Sequence, residues 1–492
     1  MRLFENSIVV RWLRKQLGDG SFLDSVIAWV LAAVAAFIGL VYSVNWKFGV
    51  AFAGFITVLA ANIYSLQLAI ISVFFAIPFD RLGKLGPESI LTWAKVLIAV
   101  LILAWSARVL AEKEPRSLDL LFHSPLFLLA VVLQVFSLFS VINARDYDIF
   151  LAQSVRRLNN FVLFILITTI VNSQKVIRRA FLVFLFAYFF VGLTVMYEIY
   201  SGESILSTVW GEADVALDYT LNTGQFRVGG PGGDPDFLAV SVLFPSLVAM
   251  SLMLERISRL IKAGVLVVLL LIQISLLATG SRGGLGALLI GAGVFWLFSR
   301  MRYKFLIGTA AATVLVTTAL LLSLAGAAST ERYTGESGGK SLIYRMGWTK
   351  MALLMIEDHP LVGVGTGNFV TQYNRYSRTV PYVPRSPYWT HNSFLQTWAE
   401  NGIVAFIAYA MLFVTAAGAM LRVILTTPDP GLRRLAVLLL SSVCALFFFA
   451  GTSNVLENEN YWIVFSLVTV TSALAREAVR EREGASGARV LA

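Results

Sequence analysis

Stretches of roughly 20 uncharged, mostly apolar residues recur from one end of this 492-residue chain to the other, and a run of that length suits a helix crossing the hydrocarbon core of a bilayer. Inside lipid, backbone amides and carbonyls must be satisfied within the protein, which leaves very few other forms open to such a run. Candidate spans lie near residues 25–44, 48–63, 66–78, 89–110, 123–142, 158–173, 179–200, 237–254, 259–278, 282–299, 304–325, 394–422, 433–452 and 460–477. The second and third are short and barely separated, and they read equally as one broken or re-entrant hairpin, so twelve to fourteen spans are expected. Composition points the same way. Hydrophobic residues make up 58% of the chain and charged residues 14%, with mean hydropathy +0.76, and a soluble domain lacks the polar surface for that balance. The expected fold is an all-α polytopic transmembrane bundle with a large, partly helical loop outside the membrane.

Net charge is +10. The basic residues cluster in short loops between apolar runs, where they read as cytoplasmic topology signals. With the N-terminus inside, these loops hold Lys113 and Arg116; Lys175, Arg178 and Arg179; Arg256, Arg259 and Lys262; Arg300, Arg302 and Lys304; Arg433 and Arg434. An even number of spans returns the basic C-terminal tail to the same side. No basic recognition helix is present, so nucleic acid is not an expected partner. Arg11, Arg14 and Lys15 precede the first run, which is long enough to span and reads as a retained helix. The lone Cys444 and the three histidines, His123, His359 and His391, supply neither a disulfide nor a thiolate-rich metal site. No metal and no cofactor are expected.

Two longer loops, about 201–236 and 326–393, fall on the outer side. The second carries seven basic and four acidic residues, a net +3. Outward loops usually lack such an excess; an anionic substrate would explain it, although long loops also escape the topology rule. Leu342–Ile356 reads as an interfacial helix. It is followed by the turn Asp358-His359-Pro360, the glycine-rich run Gly363 to Asn368, and Tyr373, Tyr376, Tyr382, Tyr388 and Trp389. His359 reads as part of the turn.

Several residues could carry chemistry. Arg282, in Thr279-Gly-Ser281-Arg282-Gly-Gly, sits between two apolar runs with almost no loop. It reads either as a snorkelling side chain or as a functional cation at membrane depth. Arg345 reads as a solvated charge or as a phosphate fork. His391, beside Asn392 and Ser393, lies where the large loop re-enters the membrane and suits general-base work, though a lone histidine is more often a hydrogen-bonded structural residue. The turn Arg227-Val-Gly-Gly-Pro-Gly-Gly-Asp234-Pro-Asp236 matches no phosphate loop. Its two aspartates read as helix caps rather than as cation ligands. Conspicuous charges inside the spans are few, with Glu198 and Glu400 near span ends, which weakens a proton-coupled transporter.

The stretches Thr279-Gly-Ser-Arg282-Gly-Gly, Tyr344-Arg345-Met-Gly-Trp348, Asp358-His-Pro-Leu-Val-Gly363-Val-Gly365-Thr-Gly367-Asn368-Phe369 and His391-Asn392-Ser393-Phe-Leu395 occur in that order. This arrangement resembles the O-antigen ligase superfamily, which also contains O-antigen polymerases, over about residues 225–420. Arg227 and Pro235 fit the family's preceding loop, whereas Asp236 stands where that family often has asparagine.

The resemblance implies a GT-C-like membrane glycosyltransferase that takes glycan from an undecaprenyl-diphosphate carrier without metal or nucleotide sugar. It would sit in the bacterial cytoplasmic membrane with its active site on the periplasmic side. It implies catalytic roles for Arg282, Arg345 and His391; Arg227, Ser281, Asn392 and Trp348 are the expected substrate contacts beside the two arginines. The acceptor stays open between lipid A–core sugar, as in a ligase, and the end of another lipid-linked glycan, as in a polymerase. A lipid-linked glycan transporter is the rival from another class. The resemblance also divides the chain into N-terminal helices (1–200), a ligase-like core (201–422) and C-terminal helices with a basic tail (423–492).

Overall fold

Several long helices in the bundle start with an answer to the same problem, the unpaired amides of the first turn. In the computed structural model, which describes residues 65–82, 92–111, 116–210, 227–255, 257–299, 337–381, 383, 388–454 and 456–490, short polar side chains perform that task. Asp146 caps Tyr147–Ile170, Ser173 caps Gln174–Ser201, Ser258 caps Arg259–Ala278, Asn392 caps Ser393–Thr426 and Asp429 caps Pro430–Ala450. Each accepts backbone N–H groups that would otherwise face an apolar medium. The spans expected near 25–44, 48–63 and 304–325 lie outside the described residues.

The chain divides into two units, Met1–Ser65 and Leu66–Ala492; the helices described below belong to the second. In order they are α1 (Leu66–Ala76), α2 (Trp93–Ala111), α3 (Arg116–Phe122), α4 (Pro125–Phe139), α5 (Tyr147–Ile170), α6 (Gln174–Ser201), α7 (Ile205–Trp210), α8 (Pro235–Ser241), α9 (Leu243–Met253), α10 (Arg259–Ala278), α11 (Arg282–Phe298), α12 (Ser337–Asp358), α13 (Phe369–Tyr376), α14 (Ser393–Thr426), α15 (Pro430–Ala450) and α16 (Glu459–Val490). No strand occurs among the described residues. Among the described residues, eight segments are long and apolar enough to cross a membrane: α4 with its 3-10 extension, α5, α6, α8 with α9, α10, α14, α15 and most of α16. The protein is a multi-pass, all-α membrane protein. At its centre α14 packs on α4, α15 and α16, α11 lies along α15, and α6 runs beside α1 and α10. Tyr409, Phe449, Tyr461, Trp462 and Phe465 are fully buried there.

Of the boundaries that differ from those expected, one matters most for packing. The run at 158–173 is the second half of α5, which begins at Tyr147. Arg156, Arg157, Asn159 and Asn160 end a hydropathy window but not the helix. Arg157 continues inside because it is paired: its guanidinium donates to Glu400 at 3.1 Å and to Asn401 at 2.6 Å. Both side chains of the Arg157–Glu400 pair are almost wholly buried. A buried arginine without such partners would carry a large desolvation cost.

The loop expected at 326–393 is helical where predicted, and for longer: α12 runs from Ser337 to Asp358. Trp348, Met351, Met355, Val364, Phe369 and Tyr373 form a small core of their own against Ala399 of α14. The glycine-rich run seals this core onto the bundle. Helix α14 breaks at Gly402 (φ 80°, ψ 177°), which frees carbonyls that the loop then satisfies. Val364 and Gly365 donate to the carbonyls of Ala399 and Glu400 at 2.8 and 2.9 Å, and Ile403 donates to that of Pro360 at 3.1 Å. A Cβ on Gly402 would overlap the Leu361 carbonyl, so the break requires glycine twice over, for φ and for space.

Candidate functional site

The starts of α8, α11 and α14 and the middle of α12 meet at one end of the bundle. Local sequence explains each placement. Ser281 caps α11, accepting from Gly284 N–H at 3.3 Å, and this sets Arg282 as the first helical residue. Gly283 allows the helix start to lie against Thr452, since a Cβ there would come within 2.5 Å of its hydroxyl. The next residue, Ser453, accepts through its carbonyl from the backbone N–H and the hydroxyl of Ser393 at 3.1 and 2.8 Å. The short turn Thr452-Ser453 therefore touches both helix starts and brings Arg282 and His391 to the same place.

His391 has φ 54°, the left-handed region, which costs a non-glycine residue roughly 1–2 kcal/mol. Its neighbours hold it there. The Asn392 side chain accepts from the amides of Phe394 and Leu395 at 3.0 and 3.1 Å, and Thr390 Oγ1 accepts from Asn392 N–H at 3.2 Å. The imidazole packs against two aromatic rings, with centroids 5.1 Å from both Trp348 and Tyr388. Trp348 is fixed in turn by donating Nε1–H to the Tyr373 hydroxyl at 3.2 Å.

Arg227 reaches the same end from the other loop. Val228 N–H donates to the Ala278 carbonyl at 3.1 Å and Arg227 Nε–H to that of Thr279 at 2.7 Å. Glu198 holds the following turn by accepting from Gly230 N–H at 2.9 Å. Asp234 caps α8, accepting from Asp236 and Phe237 amides at 2.8 and 3.0 Å. Asp236 lies inside the first turn and does different work: Oδ1 accepts from Arg227 at 3.1 Å, while Oδ2 lies 3.7 Å from His391 Nδ1. The reading of both aspartates as caps is thus right for Asp234 and wrong for Asp236. With Pro235 at the first helical position, the cap can only be the residue before it, and the second carboxylate is left for the site.

The charges are unevenly matched. Burial works against the charge on Arg227, but Asp236 and Asp234 outweigh it and its pKa is raised. Burial lowers the pKa of Arg345; Asp236 opposes the shift, while Arg282 and Arg227 add to it. Arg282 is exposed and Arg345 half-buried, and neither forms an ion pair with a carboxylate among the described residues. Such an arrangement favours an anion bound between the two guanidinium groups.

Of the residues singled out in the sequence, Arg282, Arg345, His391, Arg227 and Trp348 converge here. Arg227 is buried and bonded within the protein, so it enters as a brace for Asp236. Ser281 and Asn392 use their side-chain oxygens as caps. The sequence reading passed over the roles of Asp236 and Tyr388. A second aspartate two residues after a capping one was the available signal for the first; Tyr388 had none. Among the described residues no cluster of three or more histidine, cysteine or acidic side chains is arranged to hold a metal ion.

A family model described as O-Antigen ligase matches residues 265–410. The matched stretch contains Arg282, Arg345 and His391 but neither Arg227 nor Asp236. No curated protein matches the chain.

Proposed function

We propose, on the premise that residues 265–410 place the chain in the O-antigen ligase superfamily, that it transfers glycan from an undecaprenyl-diphosphate carrier to an acceptor sugar hydroxyl. It would do so as a surface-polysaccharide ligase at the periplasmic face of the inner membrane. The observation that carries this reading is the meeting of Arg282 and Arg345, neither in an ion pair with a carboxylate among the described residues, with a histidine at one end of a membrane bundle. A lipid-borne diphosphate has its phosphates where such an end meets water, and its tail in the bilayer. Guanidinium groups bind phosphate oxygens in a bidentate way and keep their charge at any working pH.

The chemistry needs two things. The acceptor oxygen bonds to the anomeric carbon while the bond from that carbon to the diphosphate oxygen breaks, leaving negative charge on the diphosphate for Arg282 and Arg345 to stabilise. The hydroxyl proton passes to His391. Diphosphate is a good leaving group, so no general-acid carboxylate is required. A single displacement inverts the anomeric centre. Trp348 is buried and backs Tyr388, with centroids 5.3 Å apart, which leaves the half-buried Tyr388 beside the base as the ring that suits a sugar face.

The test is transfer by the purified protein from an undecaprenyl-diphosphate glycan to a candidate acceptor, in detergent and with chelator. Wild type is expected to form product, and His391→Ala to lose about 10²- to 10⁴-fold in rate while remaining folded. A wild-type rate in His391→Ala removes the histidine from the mechanism, and a strict metal requirement removes the mechanism itself.

A further inference from the structure

We infer that Asp236 is a positioning residue that fixes the tautomer and orientation of His391 and balances the charge the imidazole acquires. The inference rests on the proposed function only for the step it serves; its geometric content stands alone. The two oxygens of Asp236 divide between two partners, Oδ1 to Arg227 at 3.1 Å and Oδ2 to His391 Nδ1 at 3.7 Å. Arg227 is itself tied by Nε–H to the Thr279 carbonyl at 2.7 Å, three residues before Arg282. The carboxylate is therefore held at one end and presents its free oxygen to the ring.

His391 is clamped in the other directions. Its backbone is held left-handed, and its ring packs against Tyr388, near-parallel at 26°, and Trp348, tilted at 39°. The edge of the ring that faces the Asp236 carboxylate is Nδ1. Among the described residues, the other charged groups of the site are Arg227 behind Asp236, Asp234 beside both, Arg345 on α12, and Arg282, whose charge reaches Arg345; Tyr388 is a further titratable neighbour. These cations disfavour a protonated histidine, so a counter-charge at Nδ1 is what a base in this place requires. A gap of 3.7 Å is longer than a hydrogen bond, and such contacts tighten when the base takes up its proton.

The consequence is directional. A carboxylate at Nδ1 keeps the proton of neutral imidazole on that nitrogen and leaves the lone pair on Nε2. In transfer, the acceptor hydroxyl proton goes to Nε2 as the glycosidic oxygen–carbon bond forms and the carbon–diphosphate bond breaks. The imidazolium then stands against Asp236 until it returns the proton to solvent. Arg227 has a reason in this scheme as well. An unneutralised carboxylate would repel the diphosphate, and Arg227 offsets that charge without occupying the Arg282–Arg345 gap.

With three histidines in the whole chain, ring ¹⁵N spectra of histidine-labelled full-length protein in detergent can be assigned using His391→Ala. The expected wild-type result is a neutral His391 protonated on Nδ1. In Asp236→Asn its titration midpoint falls by about one pH unit, Asp236→Glu recovers most of that shift, and His123 and His359 do not move. A His391 protonated on Nε2 in wild type, or an unchanged midpoint in Asp236→Asn, overturns the inference; the wild-type tautomer decides it even where the variant does not fold. In transfer from an undecaprenyl-diphosphate glycan, Asp236→Asn is expected to lower kcat about 10²-fold with donor KM within about twofold, and to move the acid limb of the pH profile to lower pH. A normal ¹⁵N response in a wild-type protein that transfers nothing would sink the proposed function and leave the Asp236–His391 pairing standing.

Discussion

Among the described residues, two buried groups of arginine and carboxylate, around Glu400 and around Asp236, differ in whether their charges close. Around Glu400 the carboxylate is answered. The carboxylate accepts from Arg157, Gly367 N–H and Gln396 at 3.1, 2.9 and 2.8 Å, and Asn401 links Arg157 to Thr366 and Ser140. Around Asp236, Arg227 is ion-paired, while Arg282 and Arg345 form no ion pair among the described residues. The first group joins the glycine-rich loop to the break in α14. The second faces outward with cation to spare. The same residue types thus serve as a staple where partners are complete and as a receptor where they are not, because an unpaired charge is costly unless water or a ligand reaches it.

The largest expected effect breaks the staple. Glu400→Leu leaves Arg157 buried without its carboxylate and should cost about 3–5 kcal/mol of stability. Thermal unfolding of the solubilised protein measures it, and the paired change Arg157→Met with Glu400→Leu should recover most of the loss. An unchanged unfolding temperature in the single variant would erase the distinction between the two groups. Next is the receptor. Arg345→Ala should lower transfer by about 10²- to 10³-fold, or about 3–4 kcal/mol of transition-state stabilisation, with unfolding scarcely altered; Arg345→Lys should restore only part, having charge but no planar fork. The smallest effect sharpens the comparison inside the site. Asn392→Ala removes the α14 cap, which should cost about 1 kcal/mol in stability and reduce transfer only through looser holding of His391. A loss of transfer matching that of Arg345→Ala would instead make Asn392 a substrate contact.

The two groups were also unequally legible. Arg282 and His391 announce themselves because each sits at the mouth of an apolar run with a capping residue beside it. Arg157 and Glu400 do not: the arginine lies where a hydropathy window stops, and its partner is 243 residues away. The glycine-rich run was visible as a motif, but its amides turn out to pair with the carbonyls of a broken helix, and one chain cannot reveal which carbonyls those are. Asp236 was read as a cap because sequence registers an aspartate before an apolar run and not the direction in which the second of two points.

Sequence by itself determined the class of the protein, the positions of most spans and the residue types gathered at one mouth of the bundle. Those follow from apolar length and from caps, which are local quantities set by the bilayer and by the first turn of a helix. Only the tertiary structure decided which charges cancel. That outcome depends on distances of a few ångströms between side chains far apart in the chain. The contact between the Thr452-Ser453 turn and the starts of α11 and α14, and the reach of Arg227 to Asp236, exist only after the helices have packed.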